Sequence, residues 1–396
     1  MAIYTYLLSC LFAFIAGHMV NYSIIFLSLE WFNSHALAGL GYGLCFGPPL
    51  ILGWFAGVYC DRYSPRRVIL IAQNSFFVSL GLLYMALSSS PELQKVWLLL
   101  AALCSGIGWS FVAPARFSGL PFHIGKWSLA AASIALNLMV MSGFGIAPML
   151  LKLLEAHYNW QAVFITAACL FALSSSLLWP LRYKFTPKPA AKALHEIAES
   201  LRYVQQSHHI KQLLLLSSIS YLLMGPIQVI LPSIAENTLN LSASAQGYYL
   251  SLVAFSLIIG GILAMRLKAR GRVGSYLMLA IFGAAIGIAG LASADHLLAS
   301  VVILFFASAC GGIAISFIVA GLQAFSPDAH RGRIMSFYTI IGQFIPAASG
   351  ISAGILAQTY SPSTALYITA GIIITSSLIC FWIPNNIRHL ESFENA

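Results

Sequence analysis

The chain contains twelve apolar runs, each long enough to cross a lipid bilayer. A membrane-spanning helix needs about 20 mainly apolar residues. The runs lie near residues 4–29, 36–58, 67–89, 95–117, 127–152, 159–181, 211–234, 245–268, 274–293, 297–325, 332–358 and 363–384. Because they are continuous rather than alternating, they predict helices and not barrel strands. We therefore expect an all-α membrane protein with twelve transmembrane helices.

Composition and charge placement support this expectation. Only 8% of the residues are charged and 59% are hydrophobic, whereas a soluble domain has roughly 25% charged residues. The net charge of +9 could indicate a nucleic-acid partner. If the N-terminus is inside, however, inner segments hold 18 of the 20 Lys and Arg residues, and outer loops hold only Lys95 and Lys152. This positive-inside bias predicts an inner-membrane protein with both termini cytoplasmic, and no nucleic-acid partner.

One polar stretch interrupts the apolar runs. It is "RYKFTPKPAAKALHEIAESLRYVQQSHHIK", and its apolar residues recur at helical spacing at Leu194, Ile197, Ala198, Leu201 and Val204. We expect an amphipathic helix on the inner leaflet. The stretch predicts three parts: an N-terminal six-helix half over 1–181, a cytoplasmic linker over 182–210, and a C-terminal six-helix half over 211–396.

A cluster of charged residues lies between the second and third runs. It is "GVYCDRYSPRRVIL", which contains Gly57-x-x-x-Asp61-Arg62 followed by Arg66 and Arg67. The pattern resembles the loop signature of the major facilitator superfamily, and the resemblance extends over the whole chain. A weaker echo of the motif at 261–266 favours an internal repeat of two six-helix halves.

Further segments resemble one branch of that superfamily. They are "APARFSGLP" at 113–121, "ESLRYVQQSHHIK" at 199–211 and "PDAHRGRIMSFY" at 327–338. They are similar to the branch that contains the enterobactin exporter and related drug efflux carriers. The resemblance implies a monomeric secondary active transporter of small molecules, without enzymatic activity or a cofactor. It favours a siderophore as substrate and export as direction. A siderophore importer, or a drug or lysolipid efflux carrier, stays open as an alternative.

The charged cluster predicts a conformational latch at the inner face. A carboxylate at Asp61 would lie at the membrane edge, where the positive N-terminus of the eleventh run can attract it. Arg116 and Arg331 are the candidate ion-pair partners. The predicted latch consists of Gly57, Asp61, Arg62, Arg66, Arg116 and Arg331.

The interior of the predicted bundle has few titratable groups. No Asp, Glu, Lys or Arg falls near the middle of a run, and polar groups at that depth are commonly functional. His18, Asn21 and Tyr22 share one helical face of the first run. With Tyr221 and Gln228 of the seventh run, they are the candidate lining of a substrate cavity. A neutral His18 hydrogen-bonded across a helix interface is the alternative.

The lack of charged groups in this interior restricts the kind of substrate that the protein can bind. Uncharged polar groups among aromatic side chains suit a bulky, amphipathic, hydrogen-bonding solute. If protons drive transport, the candidate carriers are His18, Asp61 and Glu30, and whether His18 carries a proton or contacts substrate stays open. We expect no catalytic residues and no metal site, since the chain lacks an HExxH motif and its Asp residues lie at the ends of the runs.

The charge bias makes the topology testable. Single cysteines near Glu92, His157 and Asn237 should react with a membrane-impermeant maleimide added to whole cells. Cysteines at Lys188 and Arg270 should react only after the membrane is opened, because the predicted topology places them inside. The reverse labelling pattern would contradict a twelve-span protein with cytoplasmic termini.

Overall fold

The computed structural model describes residues 2–181, 183, 202–268 and 270–382, except for the side chains at positions 54, 57, 58, 61, 130 and 328–332. The predicted amphipathic helix begins at Leu194, outside the described residues, and residues 202–206 are helical.

The described residues are almost entirely helical. The first helices are α1 (Ala2–Phe32), α2 (His35–Phe46), α3 (Pro49–Arg62), α4 (Pro65–Ala86), α5 (Pro91–Gly119), α6 (Leu129–His157) and α7 (Trp160–Leu178). The later helices are α8 (His208–Tyr221), α9 (Met224–Ser233), α10 (Ala243–Lys268), α11 (Val273–Leu291), α12 (Leu297–Phe325), α13 (Asp328–Thr359) and α14 (Pro362–Phe381). They provide twelve apolar segments long enough to cross a membrane, so the predicted fold class is confirmed.

The chain folds into two compact units. The first contains Met1–Ala191 together with Asn240–Ser251, and the second contains Lys192–Leu239 together with Leu252–Ala396. The first two turns of α10 therefore belong with the first unit. The functional division into halves over 1–181 and 211–396 stays a prediction.

Helix α1 is the innermost helix of the first unit. It contacts α2, α5, α6 and α7, and every residue from Ala13 to Ser28 is buried. A helix that is apolar all round is expected to be enclosed in this way. The few polar side chains on α1 must therefore find their partners on neighbouring helices.

The second predicted span is interrupted in its middle. Helix α2 ends at Phe46 and α3 begins at Pro49, because Pro48 and Pro49 have no backbone N–H to continue the ladder. The carbonyl of Leu44 thus loses the donor that an unbroken helix would provide at position 48. It faces Gly106 of α5, where an added Cβ would lie 2.2 Å from the Leu44 oxygen.

The second unit is arranged around α12 and α13. Helix α13 contacts α8, α9 and α14, and α12 contacts α8 and α11. A π-helical turn at Ile234–Thr238 extends α9, so α8, α9 and this turn together form the seventh span, His208–Thr238.

The contact at Gly106 gives a stability prediction. Gly106→Ala should lower the free energy of unfolding by about 1–3 kcal/mol, because the new methyl group overlaps a backbone oxygen that cannot rotate away. Gly81→Ala in α4 is the matched control, since a Cβ there meets nothing within 4 Å and alanine favours a helix. Thermal unfolding in detergent measures both. Equal melting temperatures for the two variants would contradict the close approach of α2 and α5.

Candidate substrate site and buried charges in the first unit

The polar face of α1 lies against aromatic side chains of neighbouring helices, and these residues together form the candidate site. Asn21 is buried, and its Oδ1 accepts hydrogen bonds from the Ser105 hydroxyl at 2.7 Å and from the Trp109 indole N–H at 3.3 Å. Both donors belong to α5. Among the residues that the structure describes, the Asn21 Nδ2 group has no hydrogen-bond partner. A buried amide therefore keeps its two N–H donors free.

His18 lies in the same site, one helical turn earlier. Its ring lies 5.0 Å from the Trp109 ring and 5.3 Å from the Phe144 ring, measured between centroids. Within the described part of the chain, the imidazole makes no hydrogen bond, and 9% of its surface is accessible. The alternative of an imidazole hydrogen-bonded across a helix interface is therefore not what the structure shows.

Small and aromatic residues make this arrangement possible. Gly17 allows Trp109 to lie against the backbone of α1, since a Cβ at Gly17 would come within 2.6 Å of the indole. Tyr22 extends the aromatic surface, with its ring stacked at 6.2 Å from Phe144. The three predicted cavity residues of α1 therefore lie together, beside Trp109 and Phe144.

The other two predicted cavity residues lie in the second unit. The Tyr221 hydroxyl is 2.7 Å from the Tyr338 hydroxyl of α13. Gln228 is half-buried on α9. The sequence did not indicate Tyr338, because 117 residues separate it from Tyr221 and tyrosines are frequent in this chain.

The predicted latch residues differ widely in their surroundings. The side chains of Asp61 and Arg331, and position 57, lie outside the described set, and Arg62 is exposed. Arg66 donates to the backbone oxygen of Trp179 at 3.0 Å and lies over its ring at 5.4 Å. Arg66 therefore joins the start of α4 to the end of α7.

Arg116 is completely buried in the first unit. Its Nη1 donates to Ser9 Oγ at 2.8 Å and its Nη2 donates to Ser174 Oγ at 2.8 Å. The Tyr6 ring lies 5.9 Å from the guanidinium carbon, while Nε finds no hydrogen-bond partner in the described part of the chain. The contacts of this cation in the described residues are thus with uncharged groups. A charge buried in this way is costly, which argues for a functional reason to retain it.

The serines around Arg116 also bond to each other. Ser9 Oγ donates to the Ser174 carbonyl at 2.8 Å, and Ser174 Oγ donates to the Ser9 carbonyl at 2.7 Å. Gln73 of α4 donates to Ser174 Oγ at 3.0 Å. Helices α1, α4, α5 and α7 therefore meet at one polar cluster. It would keep many of its hydrogen bonds without the arginine.

An aromatic group adjoins this cluster. The buried His123 ring lies 5.0 Å from Tyr6 and 4.6 Å from Tyr183, and no described residue forms a hydrogen bond with its Nε2. Burial lowers the pKa of His123 and raises the pKa of Tyr183. Both side chains are therefore neutral near pH 7, which leaves the Arg116 charge uncompensated from this side.

One prediction about charge placement is wrong. Lys152 does not lie in an outer loop but within α6, where it is buried and paired with Glu155 at 2.6 Å. The predicted span ended too early, at residue 152, whereas α6 continues to His157. The i, i+3 spacing of Lys and Glu in "KLLE" could have indicated a longer helix. Glu30, by contrast, is exposed and accepts a hydrogen bond from the Trp160 indole at 3.2 Å.

Comparison with known proteins identifies the family. The family model described as transmembrane secretion effector matches residues 45–394. The chain belongs to this family of major facilitator superfamily transporters. It is a transporter and not an enzyme.

Named relatives agree with this assignment. The chain is 26% identical to the enterobactin exporter EntS of Escherichia coli (strain K12) over 361 residues, which cover 89% of this chain and 84% of the relative. It is 26% identical to EntS of Shigella boydii serotype 4 (strain Sb227) over 324 residues, covering 80% and 76%.

Solved structures show the same fold. The nucleoside transporter NupG superposes with a TM-score of 0.74 at 15% identity, covering 96% of this chain and 98% of NupG. A D-xylose-proton symporter superposes with a TM-score of 0.74 at 16% identity, covering 99% and 100%.

The buried arginine gives a prediction that separates function from stability. Arg116→Met should leave the melting temperature unchanged or raise it, because the serine pair keeps its hydrogen bonds and a buried charge is removed. Transport into everted membrane vesicles should nevertheless fall. Arg67→Met, an exposed position on α4, is the control and should change neither quantity. A large loss of thermal stability in Arg116→Met would instead make Arg116 a structural residue.

Proposed function

We propose that the protein exports a bulky, aromatic, hydrogen-bonding small molecule of siderophore type across the inner membrane by alternating access. The observation that supports this most directly is the site formed by His18, Asn21, Trp109 and Phe144. It combines closely spaced aromatic rings with an amide nitrogen that has no hydrogen-bond partner among the described residues.

The chemistry of the site favours an uncharged aromatic group on the substrate. Aromatic rings attract one another at centroid separations of about 4.5–7 Å, and the rings around His18 lie in that range. The Asn21 N–H groups can donate to the phenol or amide oxygen of a catechol-type solute. Each contact of His18 and Asn21 in the described residues is with an uncharged side chain, so the site offers no charged partner for a small dianion or a permanent cation.

Export is favoured by the relatives, which are named enterobactin exporters. The protein would work as a monomer with both termini in the cytoplasm. Asp61 and Arg331 would act with Arg116, Gly57, Arg62 and Arg66 as the inner latch. Tyr221 and Gln228 would provide substrate contacts in the second unit.

The substrate and the direction are tested together. The gene is deleted in its host, and catechol siderophore is measured in medium and in cells. Loss of release with accumulation inside supports export. Loss of utilisation with normal release would mean import instead. Unchanged siderophore levels, with increased sensitivity to lipophilic drugs, would support a drug efflux carrier.

The role of His18 has its own test. His18→Gln should weaken substrate binding about three- to tenfold, the effect of one altered polar contact, while the response of transport to a pH gradient stays unchanged. Binding and exchange are measured in proteoliposomes. Tyr84→Ala is the control, because that aromatic side chain is exposed on α4. Intact binding with a lost pH response would make His18 a proton carrier.

A further inference from the structure

Helix α6 carries an ion pair between a buried lysine and a partly exposed glutamate. Lys152 Nζ lies 2.6 Å from Glu155 Oε2, and the two side chains are 7% and 19% exposed. The Lys152 ammonium also lies 4.1 Å from the centre of the Phe26 ring of α1. An ammonium over an aromatic face is attracted by the ring. Lys152 is therefore held by one carboxylate and one aromatic ring.

A second helix covers this pair. The segment 240–251 begins α10 and belongs to the same unit as α6. A Cβ at Gly247 would lie 2.9 Å from Met149 Cα and 3.1 Å from Lys152 Cβ. One turn later, the Ser251 hydroxyl donates to the Gly145 carbonyl at 2.6 Å. The two helices thus touch closely along the stretch of α6 that leads to Lys152.

The covering segment contributes no charge of its own. Its sequence, "NLSASAQGYYLS", contains no acidic or basic residue. The tyrosines in it are Tyr248 and Tyr249. Glu155 is therefore the counter-charge of Lys152 as long as this contact is closed.

Three other titratable groups near the ends of these helices have partners of their own. At the end of α1, Glu30 accepts a hydrogen bond from Trp160, which begins α7. At the end of α6, the exposed His157 ring lies within hydrogen-bond distance of the Leu153 carbonyl, with Nδ1 at 2.9 Å from the oxygen. On α5, Lys95 lies over the Phe32 ring at 5.0 Å.

Protonation of Glu155 would leave the positive charge of Lys152 without a counter-charge. A buried ion pair that loses one charge leaves the other uncompensated, and this is strongly destabilising. The cost disappears if Lys152 reaches water. Lys152 is only 7% exposed and lies beneath the covering segment at Gly247, so opening this contact would expose its ammonium to water.

We propose that Glu155 is the residue whose protonation couples a proton gradient to the opening of the contact between segment 240–251 and α6, with Lys152 as its counter-charge. This rests on the proposed function as an alternating-access transporter and adds that a proton gradient drives it. It assigns the coupling proton to a residue other than His18, Asp61 and Glu30. The ionised pair keeps the contact closed, and acidification at the outer face opens it.

The test follows the accessibility of the contact without any substrate. In a background with the seven native cysteines replaced, Met149→Cys, on the α6 side of the contact at Gly247, is labelled by a membrane-impermeant maleimide from the outer face. Labelling rates are corrected for the intrinsic pH dependence of the thiol with an exposed cysteine at Tyr158. Labelling should accelerate as the outer pH falls, and the Glu155→Gln variant should label at least about tenfold faster at neutral pH, without pH dependence.

A double variant separates charge balance from misfolding. Glu155→Gln combined with Lys152→Met removes both charges, so labelling should return to the slow rate and stay independent of pH. Glu92→Gln, at an exposed carboxylate in the first turn of α5, is the matched control and should keep the pH response of the unsubstituted protein. A pH response that survives in Glu155→Gln would overturn the proposal, as would a double variant that labels as fast as the single one.

Transport separates this proposal from the proposed function. In proteoliposomes, Glu155→Gln should lose stimulation by a pH gradient while exchange of catechol siderophore continues. If the siderophore is not carried at all, the labelling results still decide the role of Glu155. If it is carried with normal pH stimulation in Glu155→Gln, only the coupling proposal fails.

Discussion

The hydrocarbon interior of a bilayer offers no water to backbone or side-chain polar groups, and the organisation of this protein follows from that constraint. Backbone groups are satisfied within helices, and many hydroxyl groups bond to the carbonyl one turn earlier, as Ser23 does to Met19 and Ser110 does to Gly106. Polar side chains that cannot bond to their own helix must find partners on neighbouring helices, and they therefore cluster. The innermost helix, α1, takes part in both polar groupings of the first unit, one at Asn21 and one at Ser9.

The two groupings differ in their charge and in which polar groups lack a hydrogen-bond partner. The Ser9 cluster encloses a full positive charge on Arg116 and supplies hydroxyl and carbonyl partners for it. The Asn21 site is uncharged and leaves amide donors without partners. A neutral N–H donor without a partner, beside aromatic rings, suits transient contact with a solute. A buried cation, by contrast, stays in place and suits an interaction with an anionic group that can come and go. Helix α5 thus joins the two groupings, since it supplies Trp109 to one and Arg116 to the other.

The sequence predicted the twelve helices because each span must hide about 20 residues from water, and this signal is strong in every run. It also predicted that His18, Asn21 and Tyr22 share a face, since they belong to one helix. It did not predict the partners of Arg116, because Ser9 and Ser174 are 165 residues apart and serines in an apolar run look like ordinary small residues. The Lys152–Glu155 pair was missed because a charged residue near the end of an apolar run looks like the start of a loop. The roles proposed for the latch and cavity residues stay predictions.

The break at Pro48 has a mechanical consequence. An intact helix transmits torque along its axis through its hydrogen-bond ladder, but α2 and α3 share no continuous ladder across the two prolines. The part that carries the Gly57–Arg62 motif can therefore tilt or turn without rotating His35–Phe46. Both α2 and α3 pack against α5, α2 where Gly106 leaves room for the Leu44 carbonyl and α3 where the Tyr59 ring meets Phe111. A change in the angle between α2 and α3 would therefore act on α5, the helix that carries Trp109.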